Sequence, residues 1–138
     1  MRRTILVVAG AVLAWCGAAG ASTWNADIDG AWSTGPWTGG VPNAIGAVAD
    51  FGTLDISADR AVTLDIAPTV GTLTLGDTAA PTWSWALGGA NGLTLDVGSG
   101  NAALTVNQGP ANAINVPVLV NDTLNLTVAA GAKVSFSQ

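Results

Sequence analysis

The segment from Asn25 to Gly30 carries the oxygen ligands that a hard cation prefers. Asn25, Asp27 and Asp29 alternate along it, and Gly30 follows where a binding loop turns. Amide and carboxylate oxygens in this spacing can wrap one calcium ion. A helix–loop–helix calcium site also needs a bidentate glutamate at its twelfth position, where this chain has Pro36. Asn25, Asp27 and Asp29 are therefore candidate calcium ligands, and the alternative interpretation is a strand end followed by a turn.

Three further carboxylates, Asp55, Asp65 and Asp96, each follow a leucine at the end of a short apolar segment. If those segments stack, the carboxylates are expected to form an acidic row that binds calcium or a sugar acid. Catalysis on a polysaccharide also needs a basic group or a second carboxylate in a set geometry. Arg60 and Lys133 lie in other segments, so we predict no catalytic residues. The alternative role of these aspartates is in turns and solubility.

Tryptophan is the other residue type here with binding potential. Trp24, Trp32 and Trp37 are candidate glycan-binding residues, because an exposed indole presents a large apolar face with a polar edge. They can instead cover the open end of a stacked core. Trp83 and Trp85 occupy the two apolar positions of one strand unit, and their spacing predicts that both point inward.

The first 21 residues are typical of a secretory signal peptide. Arg2 and Arg3 precede an apolar run over residues 5–15, and residues 19–21 offer a small-x-small cleavage site. The arginine pair leaves open whether general or twin-arginine export is used. The run is too short to span a bilayer comfortably, so no membrane insertion is expected after cleavage. We therefore expect a secreted or cell-surface protein.

The remaining charges exclude several classes of partner. The chain has nine acidic residues, four basic residues and no histidine. Cleavage after residue 21 leaves Arg60 and Lys133 against nine aspartates, a net charge of two minus nine, or −7, and removes the one cysteine. Two cations cannot neutralise a run of phosphates, so nucleic acid is not an expected partner. No disulfide is predicted, and no cofactor is predicted beyond the candidate calcium.

A repeated strand unit must position these side chains. It reads apolar, polar, apolar, then small or polar, and it begins at residues 62, 73, 83, 93, 104, 114, 124 and 134. Its middle residue is always Thr, Ser or Asn. Alternation with a period of two predicts strands with apolar residues inside. A nearly constant step predicts stacked copies of one structural unit.

Alternate units lie 20 or 21 residues apart, and Phe51 precedes Leu73 by 22. This spacing predicts an all-β fold, a right-handed parallel β-helix with coils of about twenty residues and two strands per coil. Leu73, Leu93, Ile114 and Val134 are then expected to stack. The alternative is an antiparallel β-sandwich, which also has strands every 8 to 12 residues.

The chain divides into three predicted regions: the signal peptide over residues 1–21, a cap over residues 22–50 and the repeat region over residues 51–138. The cap is rich in Trp, Gly and Pro, with short strands expected at residues 22–25 and 47–51. The last repeat unit is followed by no recognisable capping segment. We therefore predict that residues 124–138 either self-associate or continue into further repeats, because an uncovered strand edge templates pairing.

Part of the chain resembles secreted bacterial proteins with autotransporter-associated β-strand repeats. The resemblance covers most of residues 24–137 and is carried by the following segments: Trp24-Asn25, Asp29-Gly-Ala-Trp32, Trp37, Gly40-Val-Pro42-Asn43, Ala49-Asp-Phe51, Val62-Thr-Leu-Asp, Val70-Gly-Thr-Leu-Thr-Leu-Gly76 and Gly92-Leu-Thr-Leu-Asp96. It implies a right-handed β-helix at a bacterial surface. A C-terminal translocating barrel, further repeats and a sorting tail are not recognised, which suggests a fragment or a shortened relative.

These observations predict a non-enzymatic scaffold module, secreted or at the cell surface. A carbohydrate-binding module that holds polysaccharide on exposed tryptophans is the first alternative. A fragment of a polysaccharide-active β-helical enzyme is the second.

Overall fold

The computed structural model describes residues 20–137, so the predicted signal peptide lies outside the described residues except for Gly20 and Ala21. Residues 20–137 contain no helix that is long and apolar enough to cross a membrane. They form short β-strands with these bounds: β1 Ala21–Trp24, β2 Gly30–Ala31, β3 Trp37–Thr38, β4 Val48–Phe51, β5 Arg60–Leu64, β6 Thr69–Val70, β7 Thr72–Leu75, β8 Trp85–Gly89, β9 Leu93–Leu95, β10 Asn101–Val106, β11 Asn112–Ile114, β12 Val118–Val120, β13 Thr123–Val128 and β14 Val134–Phe136.

The strands form three sheets that run along one axis. Sheet A has the order β13-β10-β7-β4-β1-β3, sheet B the order β14-β11-β8-β5-β2, and sheet C the order β12-β9-β6. From β4 onward the chain visits sheets A, B and C in turn, so each complete coil carries three strands. Every pairing is parallel except that between β1 and β3. The predicted parallel β-helix is confirmed, with about five coils, and the antiparallel sandwich is excluded.

The coil is longer than predicted, at about 25 residues rather than twenty. Leu73 lies in sheet A and pairs with Leu104, whereas Leu93 lies in sheet C and pairs with Val118. Ile114 and Val134 lie in sheet B in different columns. The predicted stack of Leu73, Leu93, Ile114 and Val134 is therefore wrong. The same unit occurs on all three sheets, and two of the three sheet C strands, β6 and β12, were not recognised, so a third strand per coil was missed.

The predicted inside-outside alternation is confirmed in most repeat units of the complete coils, and the exception is the unit at residues 83–85, where Ser84 is buried. Leu73 and Leu75 of β7 are fully buried, whereas Thr72 and Thr74 are half-buried on the outer face. Leu93 and Leu95 of β9 are buried in the same way. Burying each such leucine contributes roughly 1.5–3 kcal/mol, so apolar columns along the axis supply much of the stability.

The N-terminal part contributes strands to these same sheets. The predicted strands at residues 22–25 and 47–51 are confirmed as β1 and β4, which pair in parallel in sheet A. β2 and β3 were not predicted, because a two-residue strand has no detectable period. β3 lies antiparallel along the outer edge of β1, so this end of sheet A is covered.

Candidate functional site

Asp27, the central candidate for a calcium ligand, joins the first coil to the second. Its Oδ1 atom accepts a hydrogen bond from Arg60 Nε at 2.6 Å, which forms an ion pair. Its Oδ2 atom accepts hydrogen bonds from the Ser57 backbone N–H at 3.1 Å and the Ser57 hydroxyl at 2.6 Å. The Arg60 guanidinium, followed by the Ser57 hydroxyl, lowers the pKa of Asp27 to about 2.

The other two candidate calcium ligands bind different partners. Asn25 Nδ2 donates to Thr38 Oγ1 at 2.6 Å, and Asp29 Oδ1 accepts a hydrogen bond from the Ala61 N–H at 2.8 Å. Residues 20–137 contain no cluster of three or more acidic, histidine or cysteine side chains with metal-binding geometry. The structure therefore does not assemble the predicted calcium site, because both carboxylate oxygens of Asp27 and one of Asp29 accept hydrogen bonds from the next coil.

The predicted acidic row does not form either. Asp55, Asp65 and Asp96 follow strands of sheets A, B and C respectively. Asp65 accepts hydrogen bonds from the backbone N–H of Ser33, at 2.9 Å, and from the Ser33 hydroxyl, and these bonds lower its pKa. Asp96 accepts a hydrogen bond from Asn121 Nδ2 at 2.9 Å, which contributes most to the lowering of its pKa.

These contacts belong to a wider pattern, which we call the inter-coil ladder. In it, a carboxylate or amide oxygen accepts a hydrogen bond from a backbone N–H one coil away, at 2.6 to 3.1 Å. Its members include Asp29 with Ala61, Asn43 with Thr69, Asp59 with Ser84, Asp77 with Ile56, Asn112 with Trp85 and Asp122 with Val97. Sequence reasoning missed the ladder, because its partners are 21 to 32 residues apart and can be matched only when the coil length is known.

Two of the three candidate glycan-binding tryptophans are inaccessible to a ligand, which differs from the predicted exposed indoles. Trp24 and Trp32 are completely buried, and Trp37 is half-buried. The Trp37 ring centroid lies 5.1 Å from those of Trp24 and Trp32 and 5.0 Å from that of Phe51. Each of the three indole N–H groups donates to a backbone carbonyl oxygen at 2.8 to 2.9 Å. These tryptophans therefore form an aromatic cluster in the first coil, in agreement with the alternative interpretation.

Two glycines make room for this cluster. Gly30 occupies the inward column of sheet B that holds Val62 and Leu87 in the following coils. A Cβ atom on Gly30 would lie 2.9 Å from Trp24 Cη2, and one on Gly35 would overlap the same ring. The Trp24 indole thus fills the space that an aliphatic side chain fills elsewhere.

The second tryptophan pair follows the prediction only at Trp85, because β8 begins at that residue and Ser84 before it is buried too. Trp85 is completely buried, and its indole N–H donates to the Gly76 carbonyl oxygen at 2.8 Å. Trp83 is half-buried and packs against the core.

A surface with unpaired strand edges and exposed apolar residues lies at the opposite end of the β-helix. We call it the end face and define it by β12, β13 and β14, each of which pairs on one edge only within residues 20–137. The apolar columns continue onto it. Leu126, which stacks on the fully buried Leu104, is 50% exposed, and Phe136, which stacks on the fully buried Ile114, is 49% exposed.

A hollow of about 600 Å³ opens beside this face. Its apolar lining includes Leu126, Val128, Val134 and Phe136, and Lys133 contributes the one charged side chain. The edge predicted at residues 124–138 thus coincides with an exposed apolar surface. Comparison with protein-family models, curated proteins and solved structures finds no match for this chain.

Proposed function

We propose that this chain is a non-enzymatic β-helical scaffold module of an exported protein, located at the cell surface or outside the cell. The observation that carries the proposal is the inter-coil ladder. Most of the carboxylates, which are chemically able to act on a substrate, form hydrogen bonds between one coil and the next instead. The signal-like N-terminal segment and the resemblance to autotransporter-associated repeat proteins support the exported location.

The structure gives less support to the two alternatives. A carbohydrate-binding role relied on exposed indoles, and Trp24 and Trp32 are buried. A polysaccharide-active enzyme relied on a row of carboxylates, and Asp55, Asp65 and Asp96 follow strands of three different sheets. Within this proposal, the end face is the place where the scaffold is extended, either by a further coil or by a second chain.

Asp77 offers a sharp test. It is buried, and its two carboxylate oxygens accept hydrogen bonds from the N–H groups of Ile56, Thr78 and Trp83 at 2.8 to 3.1 Å. Asp77→Asn replaces one acceptor oxygen with an N–H donor that faces another donor. A structural role predicts a loss of about 1–3 kcal/mol in the free energy of unfolding, measured by chemical denaturation.

The matched control is Asp55→Asn, which changes an exposed carboxylate and should alter stability by less than about 0.5 kcal/mol. A pull-down with insoluble polysaccharides accompanies both variants. The proposal is wrong if Asp77→Asn keeps full stability, or if the unmodified chain binds a polysaccharide and Asp77→Asn abolishes that binding. Fractionation of an expressing bacterium tests the exported location.

A further inference from the structure

We infer that the end face docks a second copy of this chain, tip to tip, about a twofold axis. The inference deepens the proposed scaffold role by naming the partner at its open end. It starts from an interface that already recurs inside the molecule. Each coil presents apolar columns and strand edges to the next, and the end face presents the same features with nothing on them within residues 20–137.

The opposite end of the chain does not offer a matching surface. In sheet A, β3 occupies the outer edge of β1. In sheet C, the outer edge of β6 is occupied by a loop, since the Ala44 N–H donates to the Thr69 carbonyl oxygen at 2.8 Å and the Thr69 N–H donates to Asn43 Oδ1 at 3.0 Å. Head-to-tail stacking is therefore blocked on two of the three sheets. The surface that best matches an end face is another end face, which gives a closed pair and not a fibre.

Charge favours the same contact. Eight of the nine aspartates precede residue 97, whereas residues 97–137 carry one aspartate, Asp122, and one lysine, Lys133. Two negatively charged copies therefore meet with the least repulsion at this end, where the side-chain charges cancel. The exposed apolar residues at that end supply the attraction.

Strand lengths select the position of the twofold axis. β12 and β14 each have three residues, and β13 has six. An axis through the middle of β13 sets β13 against its own copy and sets β12 against the partner's β14, so strands of equal length meet. Strands related by this axis run antiparallel. Backbone N–H and C=O groups of both copies can then form hydrogen bonds with each other along β12, β13 and β14.

The test is the molar mass of the full chain by size-exclusion chromatography with light scattering, after expression with its own leader so that the host determines the N terminus. We expect twice the monomer mass at high concentration and dissociation on dilution. Leu126→Lys should raise the dissociation constant at least tenfold, because it places like charges together near the axis. Leu126→Lys also lowers the net negative charge of each copy, which reduces the overall repulsion between copies. A weaker dimer would therefore result from the local repulsion between the two introduced lysines.

Ile28→Lys is the matched control. Ile28 is 51% exposed, against 50% for Leu126, but lies in the first coil. It should leave the dimer intact, and circular dichroism should show that both variants are folded. A chain that stays monomeric at about 100 μM, or a dimer equally weakened by both substitutions, would overturn the inference.

A cross-link checks the symmetry. Asn125→Cys, made in a Cys16→Ser background, introduces a thiol in β13 near the proposed axis. The Cα atoms of residue 125 in the two copies should then lie within the ~7 Å that a disulfide requires. Ala103→Cys lies one coil deeper in the same column and should not cross-link. Open-ended oligomers, or dimers that Asn125→Cys fails to link, would contradict the twofold arrangement. If the chain forms no twofold dimer but Asp77→Asn is destabilised, the dimer inference is wrong and the scaffold proposal is retained. The two proposals are therefore tested separately.

Discussion

The Oδ1 atom of Asn112 accepts a hydrogen bond from the backbone N–H of Trp85 in the preceding coil, at 2.9 Å. Asn112 is completely buried, and its Nδ2 group donates to the carbonyl oxygens of Gln108, Gly109 and Lys133 at 2.8 to 3.1 Å. One amide at the start of β11 therefore connects three successive coils of sheet B. A buried amide with every contact made is stabilising, whereas each unmade contact costs free energy.

Asn112→Ala should lower the free energy of unfolding by about 3 kcal/mol, because the buried Trp85 N–H and the carbonyl oxygens of Gln108 and Lys133 lose their contact with the amide. Chemical denaturation monitored by tryptophan fluorescence measures the loss. Asn101→Ala is the control, since Asn101 is exposed and its amide makes one long contact of 3.4 Å with Asn125. A similar loss in both variants would show that burial of the Asn112 amide is not the cause.

Acid should weaken the fold through Asp27. The bonds from Arg60 and Ser57 lower the pKa of Asp27 to about 2, below the value of roughly 3.9 for a free aspartate. A carboxylate whose pKa is lowered on folding stabilises the folded state above its unfolded pKa, and this contribution is lost as the pH falls towards its folded pKa. The melting temperature should therefore be nearly constant from about pH 7 to pH 5 and fall between about pH 4 and pH 2.

Asp27→Asn should make that acid-induced fall shallower, because the variant no longer has this carboxylate to protonate. The fall should not vanish, since the pKa values of Asp65 and Asp96 are also lowered. Asp55→Asn, which changes an exposed carboxylate, should keep the original profile. A profile unchanged by Asp27→Asn would mean that the ion pair with Arg60 does not form in solution.

Adjacent residues of β9 should respond in opposite ways to a charge. Leu95 is 1% exposed and stacks between Val70 and Val120, so Leu95→Asp buries an unpaired charge and should unfold the chain. Thr94 is half-buried on the outer face, so Thr94→Asp should cost about 1 kcal/mol or less. Thermal unfolding followed by circular dichroism compares them, and equal destabilisation would refute the inside-outside assignment.

Gly35→Ala should lower stability by about 1–3 kcal/mol, because the added methyl group overlaps the buried Trp24 ring and the close-packed cluster cannot move aside. Gly88→Ala is the matched control, since its Cβ atom meets nothing within 4 Å. That change should be neutral or stabilising by about 0.5 kcal/mol. Denaturation midpoints distinguish the two, and a neutral Gly35→Ala would mean that the cluster packs loosely.

The sequence alone determined the strands that carry the repeated unit and, for most of them, their two faces. The pattern at Val62-Thr-Leu-Asp places apolar residues two apart, and a strand sends residues two apart to the same side. This relation is local, so it holds in whichever sheet the strand belongs. The regular recurrence of the pattern likewise predicted a stacked β-helix.

Tertiary structure alone decided which strands stack and what the polar residues do. Leu73 and Leu93 have the same local pattern but lie in sheets A and C, because loops of unequal length set how far the chain travels around each coil. The sequence spacing makes Asp27 a candidate metal ligand, but in the structure Arg60 and Ser57 of the second coil donate hydrogen bonds to its carboxylate. Trp24 is buried because Gly30 and Gly35 leave its space empty. The stacking of the leucines and the bonds of Asp27 depend on which residue lies one coil away, and the burial of Trp24 depends on glycines of its own coil. In each case the partner is brought close by the tertiary structure and not by the local pattern.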